Sequence, residues 1–226
     1  MVYLVEGRLK ITTGLEQTVL EGEGLAIVPP SVSVIAPEQD TAFMQVVTDS
    51  ETVARLAGNA GLYDDGAPEV KPTAEWPMPT DGYRLRTYRL ADIDASGGMV
   101  NACRTRKLMV VPYDRFLEPR DETALKPHSH ADSSRPPSPW KGTGSTTCAR
   151  PGQPTVTTRA PTTIWRSASP STTIIPAGVV HTSQGVAGEG MRLVDVFSPP
   201  RVDFSLRPGV VRNAEDYPMP PELAAA

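Results

Sequence analysis

Apolar and polar positions alternate along the opening "VYLVEGRLKITT", Val2 to Thr13, and break once at Glu6-Gly7. A repeat of two is the spacing of a half-buried strand, so this stretch predicts two short strands around a glycine turn. "GLAIVPPSVSVIAPEQDTAFMQVVTDS" predicts two or three more, rich in Val and Ile and interrupted by Pro and Gly. From Val53 to Leu56 the spacing becomes helical and stops at Gly58, which predicts one short helix. "GAPEVKPTAEWPMPTDG" carries four prolines and reads as a linker, or as an arm lying on a neighbouring surface. Strand patterns resume in "YRLRTYRLADI", "MVNACRTRKLMVVPYDRF", "TTIIPAGVVHTSQGV" and "MRLVDVFSPPRVDF". The remainder beyond Arg207 has little pattern and is expected to pack loosely.

Ser133 to Ala168 breaks the pattern. It is crowded with Ser, Thr, Pro and Arg, shows no apolar period of 2 or 3.6, and belongs to a run without Asp or Glu from Ser133 through Gly188. It reads as a linker set inside a domain, and a structureless loop of that length within a compact domain signals that something there is anomalous.

Composition narrows the classes. The 226 residues suffice for one large or two small domains, and 24 prolines with 18 glycines fit a turn-rich β protein. A net charge of −4 with no basic stripe gives no footprint for nucleic acid. Cys103 and Cys148 lack CxxC spacing, which argues against a thiolate metal site or a disulfide framework. No stretch has the length and apolarity of a membrane span, and the start lacks the pattern of a signal peptide. The expectation is a cytoplasmic protein with a small-molecule partner, no nucleic-acid or membrane partner, and a possible homodimer.

The chain has three histidines. On a strand His128 and His130 share a face, so both imidazoles can meet one ion. Pro176 and Gly178 form a turn that can aim His181 back at that face. Three imidazoles would then hold one divalent transition metal, with Fe, Mn, Zn and Ni all compatible, and leave coordination positions open.

These residues resemble the two motifs of the cupin superfamily, G-x5-H-x-H-x3,4-E-x6-G and G-x5-P-x-G-x2-H-x3-N. "HSH" matches at His128 and His130, and "PAGVVH" matches at Pro176, Gly178 and His181. The resemblance implies an all-β double-stranded β-helix, or jelly-roll barrel, with the metal on those histidines. It also implies activities that range over isomerases, dioxygenases, decarboxylases and inert binding proteins. Two positions depart from the pattern: Gly185 stands where the second motif ends in Asn, and Ser134 stands near the place of the acidic fourth ligand.

A local shift of reading frame after the Asp132 codon would explain both the missing acid and the odd composition. Restoring one base converts "DSSRPPSPWKGTGSTTCA" into sequences such as "DFEQASLALEGDWVHHLR", an alternating strand pair with a Glu after the histidines. A natural Pro/Thr-rich insertion is the alternative.

The first half has the outline of a second motif in "EGEGLAIVPPSVSVIAP", with an apolar residue, Val34, in the place of the histidine, so no metal is expected there. Its opening resembles the strand that follows a first motif, as in an N-terminally truncated bicupin. The expected division is a partial, metal-free half over 1–66, a Pro-rich linker over 67–83, a metal-binding domain over 84–212 with 133–168 anomalous, and a tail over 213–226. Gln184, Tyr113 and Arg104 are candidates to support the site or the substrate. Arg104, Arg106 and Lys107 could line a pocket for an anion, or form a solvated strand face. Asp195 and Phe197 read as strand and packing residues behind the site. The functional expectation is a metal-dependent enzyme of isomerase or dioxygenase type on a small carboxylate or sugar-derived substrate, or else a non-catalytic binding protein.

Overall fold

The computed structural model describes residues 1–48, 50–58, 60–64, 75–93, 101–113, 121, 123, 125–130, 137–141, 144–149, 163–167, 172–175, 178–185 and 192–224. Pro176, Asp114, Asp132 and Ser134 lie outside them, as do the side chains of Gln184, Trp140 and Trp165.

The first half contains β1 (Val2–Glu6), β2 (Arg8–Thr12), β3 (Gln17–Glu21), β4 (Gly24–Ile27), β5 (Val34–Pro37) and β6 (Ala42–Gln45). Gly7 turns β1 into β2 at φ +99°, where a Cβ would stand 2.5 Å from Thr41 Oγ1 and 2.6 Å from the Asp40 carbonyl oxygen. Only glycine fits this turn. The strands divide between two antiparallel sheets, ordered β6-β1-β4-β7 and β3-β2-β5, where β7 is Arg86–Arg89. Leu4, Leu9, Ile11, Leu20 and Ala26 fill the space between them. The predicted helix is α1 (Glu51–Leu56), capped by the Ser50 hydroxyl, which accepts from Val53 N–H.

The second half contains β8 (Cys103–Arg104), β9 (Met109–Pro112), β10 (Pro137–Lys141), β11 (Gly144–Ala149), β12 (Thr163–Ser167), β13 (Val180–Gly185) and β14 (Arg192–Phe197). These form sheets ordered β10-β14-β9-β8 and β12-β11-β13. The two halves repeat one topology. The strand pair β1–β6 corresponds to β10–β14, and β3-β2-β5 corresponds to β12-β11-β13. The second half has two further pairings, β9 on β14 and His128 bridged to His181 beside β13; among the described residues, β6 and β5 have no counterpart of either.

Two expectations change here, and one open alternative is decided. Ser133–Ala168 was expected to be a linker, yet its described parts carry β10, β11 and β12. The exposed ladders of β14 and β13 offer backbone partners whatever the side chains, and tertiary context overrides weak strand propensity. The two prolines of β10, Pro137 and Pro139, fall on an edge strand, where a missing N–H is tolerated. The segment beyond Arg207, expected to be loose, is packed: Val210, Val211, Asn213 and Tyr217 are buried, and Asn213 exchanges hydrogen bonds with the Arg104 backbone at 2.8 and 2.9 Å. From Glu75 onward the proline-rich stretch is an arm on a surface, with Trp76 buried and its backbone N–H donating to the Arg106 carbonyl at 2.9 Å.

The halves meet face to face. Tyr3, Val5 and Leu25 pack against Cys103, Leu108, Val110, Val194 and Val196. That is why β1 is buried on both faces rather than alternating. Within this layer Glu23 accepts from the Tyr3 hydroxyl and from Arg192 Nη1, and Arg192 also donates to the Tyr3 oxygen at 3.0 Å. Burial, followed by the Glu23 carboxylate, pushes the Tyr3 hydroxyl pKa above its ordinary value. The Cys103 thiol is pushed up to about 12, chiefly by burial, so it is not a nucleophile at neutral pH.

Candidate metal centre

The three histidines converge. His128 N–H donates to the His181 carbonyl at 3.0 Å and His181 N–H returns the bond at 2.8 Å, an antiparallel pair that sets their side chains together. His130 is tied in through its carbonyl, which accepts from Gly178 N–H at 2.8 Å. Gly178 has φ +80°, a left-handed conformation that favours glycine.

The ring centroids are 4.6 Å apart for His128–His181, 4.8 Å for His128–His130 and 5.3 Å for His130–His181. One nitrogen from each lies within 4.8 Å of the others. Nδ1 of His128 is 2.9 Å from the Lys126 carbonyl oxygen, and Nδ1 of His181 is 2.8 Å from that of Val179. A carbonyl can only accept, so each Nδ1 carries the proton and Nε2 is the nitrogen with a lone pair suited to a metal. His181 is 2% exposed whereas His128 is open to solvent, giving the cluster one buried and one accessible side. The Phe197 ring meets His130 edge-on at 5.3 Å. These features fit a three-imidazole metal site.

Phe197 belongs to a cluster with Met109, Val111, Phe204 and Val211, against which Tyr113 packs. Tyr113 thus touches the cluster that holds Phe197, and its backbone N–H donates to the Leu193 carbonyl at 3.0 Å. Asp195 shares the Phe197 face of β14 by strand alternation and is wholly buried, which places a carboxylate in the same interior. The sequence signal for it was an acid in the middle of an otherwise apolar strand, read there as packing.

Arg104 has a different environment. It is 2% exposed, its guanidinium lies 5.1 Å from the Trp76 ring centre, and Nε donates to the Tyr217 carbonyl at 2.7 Å. Burial holds its pKa down to about 10. Neither a solvated face nor an anion pocket describes it; it ties the arm and the C-terminal segment to β8.

In the first half Ser33, just before β5, and Ile35 within it line a cavity, while Val34 between them is 61% exposed. Val34 therefore does not stand in the place of a histidine: side chains alternate along the strand, and it faces out.

No family model and no curated protein matches this sequence. Solved structures do. The oxalate decarboxylase of Lactobacillus farciminis, in complex with formate, aligns with 88% of this chain and 70% of its own at 12% identity and a TM-score of 0.53. A second oxalate decarboxylase structure aligns with 88% of this chain and 63% of its own at 15% identity and a TM-score of 0.51. A match to an RmlC-like cupin of Shewanella frigidimarina covers 43% of this chain and 71% of its own, at 22% identity and a TM-score of 0.30. Similarity to the two decarboxylases spans both halves and is a similarity of fold.

Proposed function

We propose that this chain, a jelly-roll protein of the cupin fold, binds one divalent Fe, Mn, Zn or Ni ion through His128, His130 and His181 and acts on a small carboxylate or sugar-derived substrate. The observation that carries the reading is the meeting of three imidazoles, two of them with Nδ1 on a backbone carbonyl. When bound, the ion would supply Lewis acidity toward a carboxylate or carbonyl oxygen. The chain does the rest. The carbonyls of Lys126 and Val179 fix two tautomers, the edge of Phe197 restrains the His130 ring, and the exposed side at His128 admits substrate. Asp195 adds a buried carboxylate to the same interior. The two oxalate decarboxylases named above act on a small carboxylate, which supports the substrate class.

Metal analysis of the purified chain tests the reading. The expected result is about one transition-metal ion per chain, falling at least tenfold in His181→Ala. Equal metal content in the two proteins overturns it. Turnover of oxalate or related acids should disappear with the metal; ligand binding that survives chelation, without turnover, would instead favour the non-catalytic alternative.

A further inference from the structure

The metal centre continues outward through one aromatic ring. Phe197, wholly buried at the end of β14, meets the His130 ring at 5.3 Å and the Phe204 ring at 6.1 Å, at interplanar angles of 86° and 72°. Phe204 sits on α2 (Val202–Ser205), and Arg201 is the residue that opens this helix. Arg201 Cζ lies over both rings, 3.9 Å from the centre of Phe204 and 5.0 Å from that of Phe197. A planar cation can lie against two rings at once and meet the negative π face of each. Asp203 fixes the plane from the side: Arg201 Nε donates to its Oδ1 at 2.8 Å and Nη2 to its Oδ2, a two-bond pairing of fork with fork. The Arg201 carbonyl accepts from the Ser205 hydroxyl at 2.7 Å, so backbone and head group are both anchored. Contacts therefore run without a break from the half-exposed Asp203 through Arg201 and Phe197 to His130.

We infer that Arg201 is a positioning residue of the metal centre: oriented by Asp203, it clamps Phe197, and Phe197 holds the His130 ring where it meets His128 and His181. The inference rests on the metal reading above. His128 and His181 are oriented by the carbonyl oxygens of Lys126 and Val179, and His130 by its contact with Phe197. An imidazole that samples other rotamers binds an ion only for the fraction of time it faces it, so the apparent dissociation constant rises as that fraction falls. Lysine cannot replace the clamp in full, because an ammonium has no plane to lie on aromatic rings or to pair with a carboxylate by two bonds.

Titration of the full chain with Ni²⁺ tests this. Arg201→Met keeps an unbranched stem and removes the planar cation; Ni²⁺ affinity should fall about fivefold, as for a ring that faces the ion about a fifth of the time. Arg201→Lys should recover part of that loss, and Asp203→Asn, at a half-exposed position, should cost about twofold. With Cu²⁺ as the probe, the electron paramagnetic resonance spectrum of Arg201→Met should differ from that of the wild type, because a loosened imidazole alters the ligand geometry. Action through His130 has a signature that general loosening lacks. In a His130→Ala chain, adding Arg201→Met should leave the residual Ni²⁺ affinity unchanged, since the ring it acts on is gone. Arg201→Lys and Asp203→Asn carry the same double-mutant comparison should Arg201→Met fail to fold. Wild-type affinity and spectrum in a folded Arg201→Met chain, or an equal fall in affinity with His130 absent, would overturn the inference and leave the metal reading intact. A wild type that takes up no Ni²⁺ would overturn the metal reading, and this inference with it.

Discussion

The strands β1, β2 and β3 and the strands β10, β11 and β12 occupy matching places in the two halves, yet their sequences have little in common. "VYLVE", "RLKIT" and "QTVLE" alternate and place Val2, Leu4, Leu9, Ile11 and Leu20 in the core. "PSPWK", "GSTTCA" and "TIWRS" supply few apolar residues and two prolines. The first set is specified by its own side chains. The second is recruited by the ladders of β14 and β13, so topology can be inherited from neighbours while stability cannot. The contrast bears on the reading-frame proposal. Gly142 falls between β10 and β11 as Gly7 falls between β1 and β2. The restored string "LALEGDW" then lies where "YLVEGRL" lies in the first half, glycine on glycine.

The sharpest test is to replace the segment from Asp132 to Ala149 with "DFEQASLALEGDWVHHLR". Three or four new inward apolar side chains should add roughly 5–12 kcal/mol, at roughly 1.5–3 kcal/mol each, and the new acid should tighten metal retention. Thermal unfolding and metal analysis read both. An unchanged melting temperature, or an unbroken natural frame on resequencing the gene, would count against the frame shift and for an insertion.

Next in size is the contact that joins the halves. Arg192→Met leaves the Glu23 carboxylate facing the Tyr3 hydroxyl without its cation, a loss of about 3 kcal/mol for a largely buried pair. Denaturant unfolding should show the drop. If the midpoint stays within experimental error, the halves do not depend on this contact.

Smaller again is the turn of the metal site. Gly178→Ala forces a Cβ into a left-handed conformation, at a cost of about 1–2 kcal/mol. Because Gly178 N–H holds the His130 carbonyl, metal affinity should fall with stability. Loss of stability with full metal retention would separate the turn from the site.

The smallest expected effect is alkaline. The raised Cys103 and Tyr3 pKa values mean that the folded chain keeps protons that the unfolded chain releases. That stabilisation is complete below about pH 9 and is lost as pH rises toward 12 for Cys103, with Tyr3 joining above about pH 10. At pH 10 the expected loss from Cys103 is about 1 kcal/mol. A Cys103→Ala chain should show a flatter decline of melting temperature between pH 8 and 10.

Much of the fold was legible in advance. The alternating run at the start marked β1 and β2, the Val-rich strand patterns marked β9 and β14, and the histidine spacing with Gly178 pointed to the cluster. The misreadings share one cause. Whether Val34 faces in or out, whether Arg104 meets solvent or Trp76, and whether the chain beyond Arg207 packs all depend on what covers each face. That information lies in residues far away along the chain.

The amino-acid sequence alone determined which segments extend, where glycine must turn them, and that three imidazoles are available to one ion, because these follow from local backbone sterics and residue chemistry. The tertiary structure alone decided that a poorly patterned segment completes the second half, that Asp195 faces its interior, and that Arg106 and Lys107 border a cavity of the first. Those outcomes come from backbone pairing and burial between distant strands, whose energies no local pattern records.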